Sequence, residues 1–270
     1  MIIRLGYDIA FESNAPTPML LLLYTHPDVQ NRLAAPEQIT LTPQVPIETF
    51  VDGFGNKCGR LVAPSGSLRL TNETLIEDSG SPDVIVCNAR QHPVEELPAE
   101  TLQFLLASRY CEVDKVGEVA WELFGHLPPG WALVQGICDW VHSHVEYNYA
   151  FANPFKTAFD VYTDGKGVCR DFQHLCVAFC RALNVPARYV GGYLGDIRIP
   201  YDPTPMDFHA WFEAYLGGRW YAFDGRHNTP RIGRVPMSYG RDAADTALTT
   251  SFGDARLTHF RVIAEEVQEE

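Results

Sequence analysis

Cys169 stands near the start of "GKGVCRDFQHLCVAFCRALNVP". His209 follows in "DFHAWFEAYL", and Asp224 closes the run "RWYAFD". A thiol, an imidazole and a carboxylate could together carry out acyl transfer. The sulfur attacks a carbonyl carbon, the imidazole takes the thiol proton, and the carboxylate fixes the imidazole tautomer. Each residue also has a plain structural reading: Cys169 as a small core residue like Cys176 and Cys180, His209 as a strand histidine, and Asp224 as a turn residue before Gly225. The chemistry requires that the fold bring all three together.

Two elements decide this. Phe172, Leu175, Cys176, Phe179, Cys180 and Leu183 recur at helical spacing, which predicts a buried helix that Asn184 and Pro186 end. Cys169 lies at its N-terminal edge, where unpaired N–H groups and the helix dipole are expected to lower the thiol pKa and leave a donor for an oxyanion. Further on, Gly217 and Gly218 separate two strand-like runs and predict a two-residue hairpin turn. That register makes Asp224 a diagonal, same-face neighbour of His209, about 7 to 8 Å away between α-carbons.

The rest of the chain is read as α+β. Apolar residues at Ile3, Leu5, Tyr7, Ile9 and Phe11 alternate with polar ones, the period of a half-buried strand. Further strands are expected at 19–25, 39–45, 68–70 and 84–86. Between them "DGFGNKCG" supplies turn residues, and "PSGS" reads as another turn. This gives a β-rich, sandwich-like N-terminal domain over 1–90 and a linker over 91–100 ("QHPVEELPAE"). The second domain, 101–270, has helices at 101–109, 115–126 and 131–144 followed by an antiparallel sheet.

The net charge of −13 disfavours nucleic acid and an anionic membrane surface as partners. The longest aliphatic run, Met19 to Leu23, is too short to cross a bilayer, and no export leader is expected. Seven cysteines without framework spacing suit reduced thiols in the cytoplasm. Cys169, His174, His209 and His227 could cluster around a metal, but there is no CxxC or HExxH pattern, and no metal is expected. His142 and His144 read as surface residues.

The pieces "GVCRDF", "PARYVGGY", "HAWFEAYLGGRWYAFD" and "GRDAADT" resemble the transglutaminase-like superfamily, in particular its bacterial cysteine peptidase group, and "DGFGN" looks like the β-rich N-terminal region of that group. The resemblance implies a papain-like core with a catalytic triad on Cys169, His209 and Asp224. It also implies an aromatic oxyanion donor upstream of the cysteine in true transglutaminases. Tyr147 and Tyr149 are read as cleft wall or core. One departure stands out: the family often follows its Asp with Pro-Thr, whereas here Gly225, Arg226, His227 and Asn228 follow.

The expected activity is a cysteine-dependent amide hydrolase, a peptidase or amidase, working through a thioester acyl-enzyme on a peptide or protein amide and needing no cofactor. Acyl transfer to an amine and a non-catalytic binding or scaffolding role are the alternatives. Candidate substrate contacts are Asp171, Tyr149, Trp211, Tyr239, Arg241 and Asp242, with a structural alternative open for Asp171 as a helix-start acid and for Arg241 as the partner of a neighbouring acid.

Overall fold

The computed structural model describes residues 1–200 and 205–267. The N-terminal part contributes β1 (Ile2–Ser13), β2 (Thr17–Leu21), β3 (Thr40–Thr42), β4 (Ile47–Val51), β5 (Lys57–Ala63) and β6 (Gly66–Glu77). Four helices follow, α1 (Val113–Phe124), α2 (Trp131–His144), α3 (Ala158–Asp164) and α4 (Cys169–Ala182), with the short β7 (Glu146–Tyr147) and β8 (Lys166–Gly167) between them. The chain then forms β9 (Ala187–Tyr193), β10 (His209–Leu216), β11 (Arg219–Phe223), β12 (Val235–Gly240), β13 (Thr249–Ser251) and β14 (Arg256–Glu266). No helix among the described residues is long and apolar enough to cross a membrane.

Two four-stranded antiparallel sheets, ordered β14-β1-β6-β3 and β13-β2-β5-β4, enclose one core. The alternation in β1 puts Ile3, Leu5, Tyr7, Ile9 and Phe11 inside, against Met19 and Leu21 of β2 and Leu61 of β5. The sandwich-like reading of the N-terminal part therefore holds, but its boundary changes. β14 pairs with β1 along nearly its whole length and β13 pairs with β2, so the end of the chain completes the sandwich and does not extend the second sheet. Sequence periodicity cannot show this, because the pattern of a strand does not name its partner.

The second sheet, β11-β10-β9-β12, carries the helices. α4 lies at the centre of the second core: Phe172, Leu175, Cys176, Phe179 and Cys180 pack with Ile137 and Val141 of α2 and Phe212 of β10. Residues 131–144 form the expected helix. Residues 99–105 form only a 3-10 helix, and 84–86 form no strand, with Val84 and Ile85 exposed. Both segments are short apolar runs that follow a proline, too short to fix a period.

The "DGFGN" turn between β4 and β5 locks the two units together. Asn56 is fully buried; its amide nitrogen donates to the Tyr239 carbonyl at 2.8 Å, and its amide oxygen accepts from the Tyr239 backbone N–H at 2.7 Å. Asp52 holds this amide in place, accepting from the Asn56 backbone N–H and from its Nδ2. Replacing Asn56 with Ala leaves a buried N–H and C=O on β12 without partners. The expected loss is about 2–4 kcal/mol, read as a lower urea midpoint with an unchanged m-value. An unchanged midpoint would show that the turn is not a clamp.

Candidate active site

α4 begins at Cys169 because Asp171 caps it. The Asp171 carboxylate accepts the Val168 N–H at 2.9 Å, and Gly167 lets the helix approach: a Cβ there would lie 2.6 Å from the Cβ of Asp171. Cys169 is half-buried at the first helical position, where its own N–H has no partner within the helix. Its sulfur is close enough to the start of β10 for the Ala210 backbone N–H to favour the thiolate.

The hairpin has the register the two glycines predict. Gly217 and Gly218 take positive φ, Leu216 faces Arg219, and Phe212 faces Phe223. Past the end of this ladder, His209 and Asp224 meet diagonally, with Nε2 and Oδ2 2.8 Å apart and both residues buried. Nδ1 is therefore the ring nitrogen left over for a proton exchanged with the thiol.

Asp224 is held by more than His209. Its Oδ1 accepts from Gln173 Nε2 at 2.9 Å and from the backbone N–H groups of Arg226 and His227 at 3.0 and 3.1 Å. Its Oδ2 also accepts from Arg234 Nη2 at 3.2 Å, and Arg234 in turn binds Asp83. Gln173 lies one helical turn after Cys169 and also accepts the Gly225 N–H, so it ties the nucleophile helix to the acid. The sequence reading missed Gln173 and Arg234. The available signal for Gln173 was a polar residue four positions after the cysteine in a helix otherwise read for its apolar stripe.

The Gly-Arg-His-Asn after Asp224 has a packing cause. A Cβ at position 225 would lie 2.6 Å from the Cys176 sulfur, and Gly225 N–H is a donor that proline would lack.

Several expected substrate contacts are engaged elsewhere. Asp171 is wholly buried and bonds Val168 and Arg170, so it serves its own helix. Trp211 is buried with Val190 and Tyr239, under the Arg234 guanidinium at 5.2 Å. Tyr239 lies between the Arg188 guanidinium, 3.7 Å from its ring centre, and His26. Arg241 pairs with Asp245 at 2.8 Å, and Asp242 accepts the backbone N–H groups of Tyr110 and Ala244. Residues 238–240 belong to β12, so the first third of the segment expected to line the cleft is sheet.

Of these expected contacts, Tyr149 is the one that stays exposed near Cys169. It is half exposed, donates to Asp207 Oδ2 at 3.3 Å and meets Tyr147 edge-on. Burial raises the pKa values of both phenols, and the nearby Cys169 adds a smaller rise; the Tyr147 hydroxyl has no acceptor or donor within hydrogen-bond geometry.

The electrostatics correct the expected thiolate. Burial pushes the Cys169 thiol up to about 11, against the pull of the Arg226 charge and the Ala210 N–H; Asp207 and Asp224 add to the rise. Burial also lowers His209, which Asp224 opposes. Asp224 resists its own burial: the His209 ring, then Arg234 and His227, hold it well below the usual carboxylate range. These shifts favour a neutral thiol and a neutral imidazole beside a carboxylate, against a charged thiolate–imidazolium pair. Helix-end stabilisation is there, but desolvation outweighs it.

Among the described residues, His209, Asp224 and His227 place one ligand-type atom each within 4.8 Å of one another, so these are the ones that could hold a cation. An ion there would have to compete with Arg234 for the carboxylate. His174, the other histidine considered for such a cluster, is buried and accepts from the Ala243 N–H instead.

Residues 123–225, which contain Cys169, His209 and Asp224, match the family model of the transglutaminase-like superfamily. The chain is also similar to a crystallised candidate cysteine protease from Cytophaga hutchinsonii. The two are 32% identical with a TM-score of 0.86, over 100% of this chain and 92% of the other. The chain belongs to the transglutaminase-like superfamily. A second relative, an uncharacterized protein of Mycobacterium leprae, is 30% identical over 111 residues, 40% of this chain and 39% of its own length. The chain thus matches about two fifths of that curated relative. In this transglutaminase-like protein the matched region runs from α1 to the turn after β11, leaving the sandwich outside it.

Two measurements check the charge states. Asn in place of Asp224 removes the anion that holds the His209 imidazole up, so its NMR titration should move to still lower pH; an upward move would contradict the pairing. Iodoacetamide labelling of Cys169 should keep rising with pH beyond pH 9. A plateau near pH 6 would instead mean a thiolate–imidazolium pair at rest.

Proposed function

We propose that the protein is a cysteine-dependent amide hydrolase in which Cys169 is the nucleophile, His209 the general base and acid, and Asp224 the group that orients the imidazole. The observation that carries this reading is the buried 2.8 Å contact between His209 and Asp224 beside a cysteine at the first position of a helix.

His209 Nδ1 takes the thiol proton as the sulfur bonds to the carbonyl carbon, so the charged pair forms only during attack. The Cys169 N–H donates to the developing oxyanion. The unpartnered Tyr147 hydroxyl supports a second donor in the role that the family's upstream aromatic plays. Collapse of the intermediate breaks the C–N bond, and the imidazolium protonates the leaving amine. Water, deprotonated by the same nitrogen, then cleaves the thioester, releasing the acid and restoring the thiol. His209 must already be neutral to act as base, and its lowered pKa supports this at neutral pH.

The half-open position of Cys169 supports water as the acceptor. The test is a panel of peptide amides assayed for free acid and, with a labelled amine added, for amide transfer. Cys169→Ala and His209→Ala should each lower the hydrolytic rate by about 10³-fold or more, and Asp224→Asn by about 10²–10⁴-fold. Amine transfer well above acid release would overturn hydrolysis in favour of transglutamination. Activity that survived Cys169→Ala would overturn the nucleophile.

A further inference from the structure

Three arginines follow Asp224 closely in sequence, and two of them are neutralised. Arg234 binds Asp83 at 2.8 Å and Asp224 at 3.2 Å. Arg231 is buried, donates to the Gly195 carbonyl at 2.9 Å and lies 3.5 Å from Asp196. Arg226 differs. Among the described residues, no carboxylate lies within 4 Å of its guanidinium and no acceptor takes a hydrogen bond from it.

Arg226 is nonetheless well placed. Its backbone N–H donates to Asp224 Oδ1, and His142 Nδ1 lies 2.8 Å from its carbonyl oxygen. Its guanidinium carbon is 3.8 Å from the centre of the Tyr147 ring. Tyr147 pairs with Gly167, two residues ahead of Cys169, so the stack stands at the entry to α4. Its charge acts directly on the Cys169 thiol. Stacking uses the face of a guanidinium and leaves its in-plane N–H donors for a planar partner.

None of the other ionisable groups around this point forms a direct ion pair with Arg226 among the described residues. Asp207 is in electrostatic range but is bonded by Tyr149, and burial raises its pKa. Asp224 is shared between His209 and Arg234. Burial lowers His209, and it lowers His227 to about 3, so both rings are neutral at pH 7.

We propose that Arg226 is an anion-recognition residue beside Cys169, and that the amide this protein acts on carries a carboxylate next to the scissile bond. A planar carboxylate would accept two parallel N–H bonds from the free edge of the guanidinium. The carboxylate could be the α-carboxylate of a chain end or the side chain of an acidic residue; the chemistry at Arg226 is the same. The inference rests on Cys169 being the nucleophile.

The test compares alkylation of Cys169 by iodoacetate, an anion, with alkylation by iodoacetamide, its neutral analogue, at pH 8 and with the labelled site identified by mass spectrometry. Both reagents consume the same thiolate, so their rate ratio cancels any effect of Arg226 on the thiol itself. The wild-type ratio should exceed that of a free cysteine derivative and fall about 10-fold in Arg226→Gln, with Arg226→Lys retaining part of it. If both reagents slow equally in Arg226→Gln, or neither changes, the arginine does not select anions and the proposal fails. If Cys169 reacts with neither reagent in the wild type, the nucleophile reading fails as well, which is a distinct result. Matched peptide amides then separate the sources, one set with a free or amidated C-terminus and one with Glu or Gln beside the scissile bond. In one set, replacing the carboxylate should lower kcat/KM about 10-fold in wild type and little in Arg226→Gln. An equal loss in both proteins, or no loss in either set, overturns the proposal.

Discussion

A buried carboxylate must be surrounded by donors or lose its charge, and Asp224 is surrounded by donors from separate parts of the chain. Gln173 reaches it from α4, His209 from β10, Arg234 from the approach to β12, and the backbone of residues 226 and 227 from its own turn. Each donor fixes one element relative to the same two oxygens. The helix that carries Cys169 and the strand that carries His209 are therefore positioned against a common point, and their mutual geometry follows from it. Removing the carboxylate would leave several buried donors unmatched at once, so the site and the packing around it stand or fall together.

The β-sandwich is tied into this arrangement through two routes. Asn56 bonds both backbone groups of Tyr239 on β12, and Asp83, in the connection after β6, binds the Arg234 that reaches Asp224. The apolar core of the sandwich also takes in Tyr193 from the end of β9 and Val235 and Met237 from β12. The family match covers only residues 123–225, yet the similarity to the Cytophaga protein spans the whole chain. Residues outside the matched core thus hold residues inside it, which gives the sandwich a structural part in the site independent of any ligand it binds.

The charges near Cys169 are mixed, unlike those of the whole molecule. The chain carries a net charge of −13, but the turn after Asp224 adds the Arg226 guanidinium, stacked on Tyr147, to the Asp207 and Asp224 carboxylates that act on the thiol. Net charge describes the long-range field, while a half-buried guanidinium acts over a few ångströms where water screens it poorly. The same burial raises the thiol and lowers the imidazole, so reactivity at rest is low and charge separation belongs to the encounter with substrate.

The sequence alone determined what local pattern can encode. The apolar stripe of α4, the alternation in β1 and the two glycines of the β10–β11 hairpin were legible, and because a hairpin register follows from its turn, so was the approach of Asp224 to His209. Motif resemblance supplied the family. Contacts between residues distant in sequence were not legible. The pairing of β14 with β1, the docking of Asn56 on Tyr239 and the clamp of Gln173 and Arg234 on Asp224 leave no periodic trace, because a polar residue reads the same in sequence whether its partner is water or a buried acid. The candidate substrate contacts show the same limit: Asp171, Trp211, Tyr239 and Asp242 have the types a cleft uses, and only packing shows that each has partners within the protein. The charge state of Cys169 was likewise decided by tertiary structure, since the helix end is visible in the sequence and the depth of burial that overrides it is not.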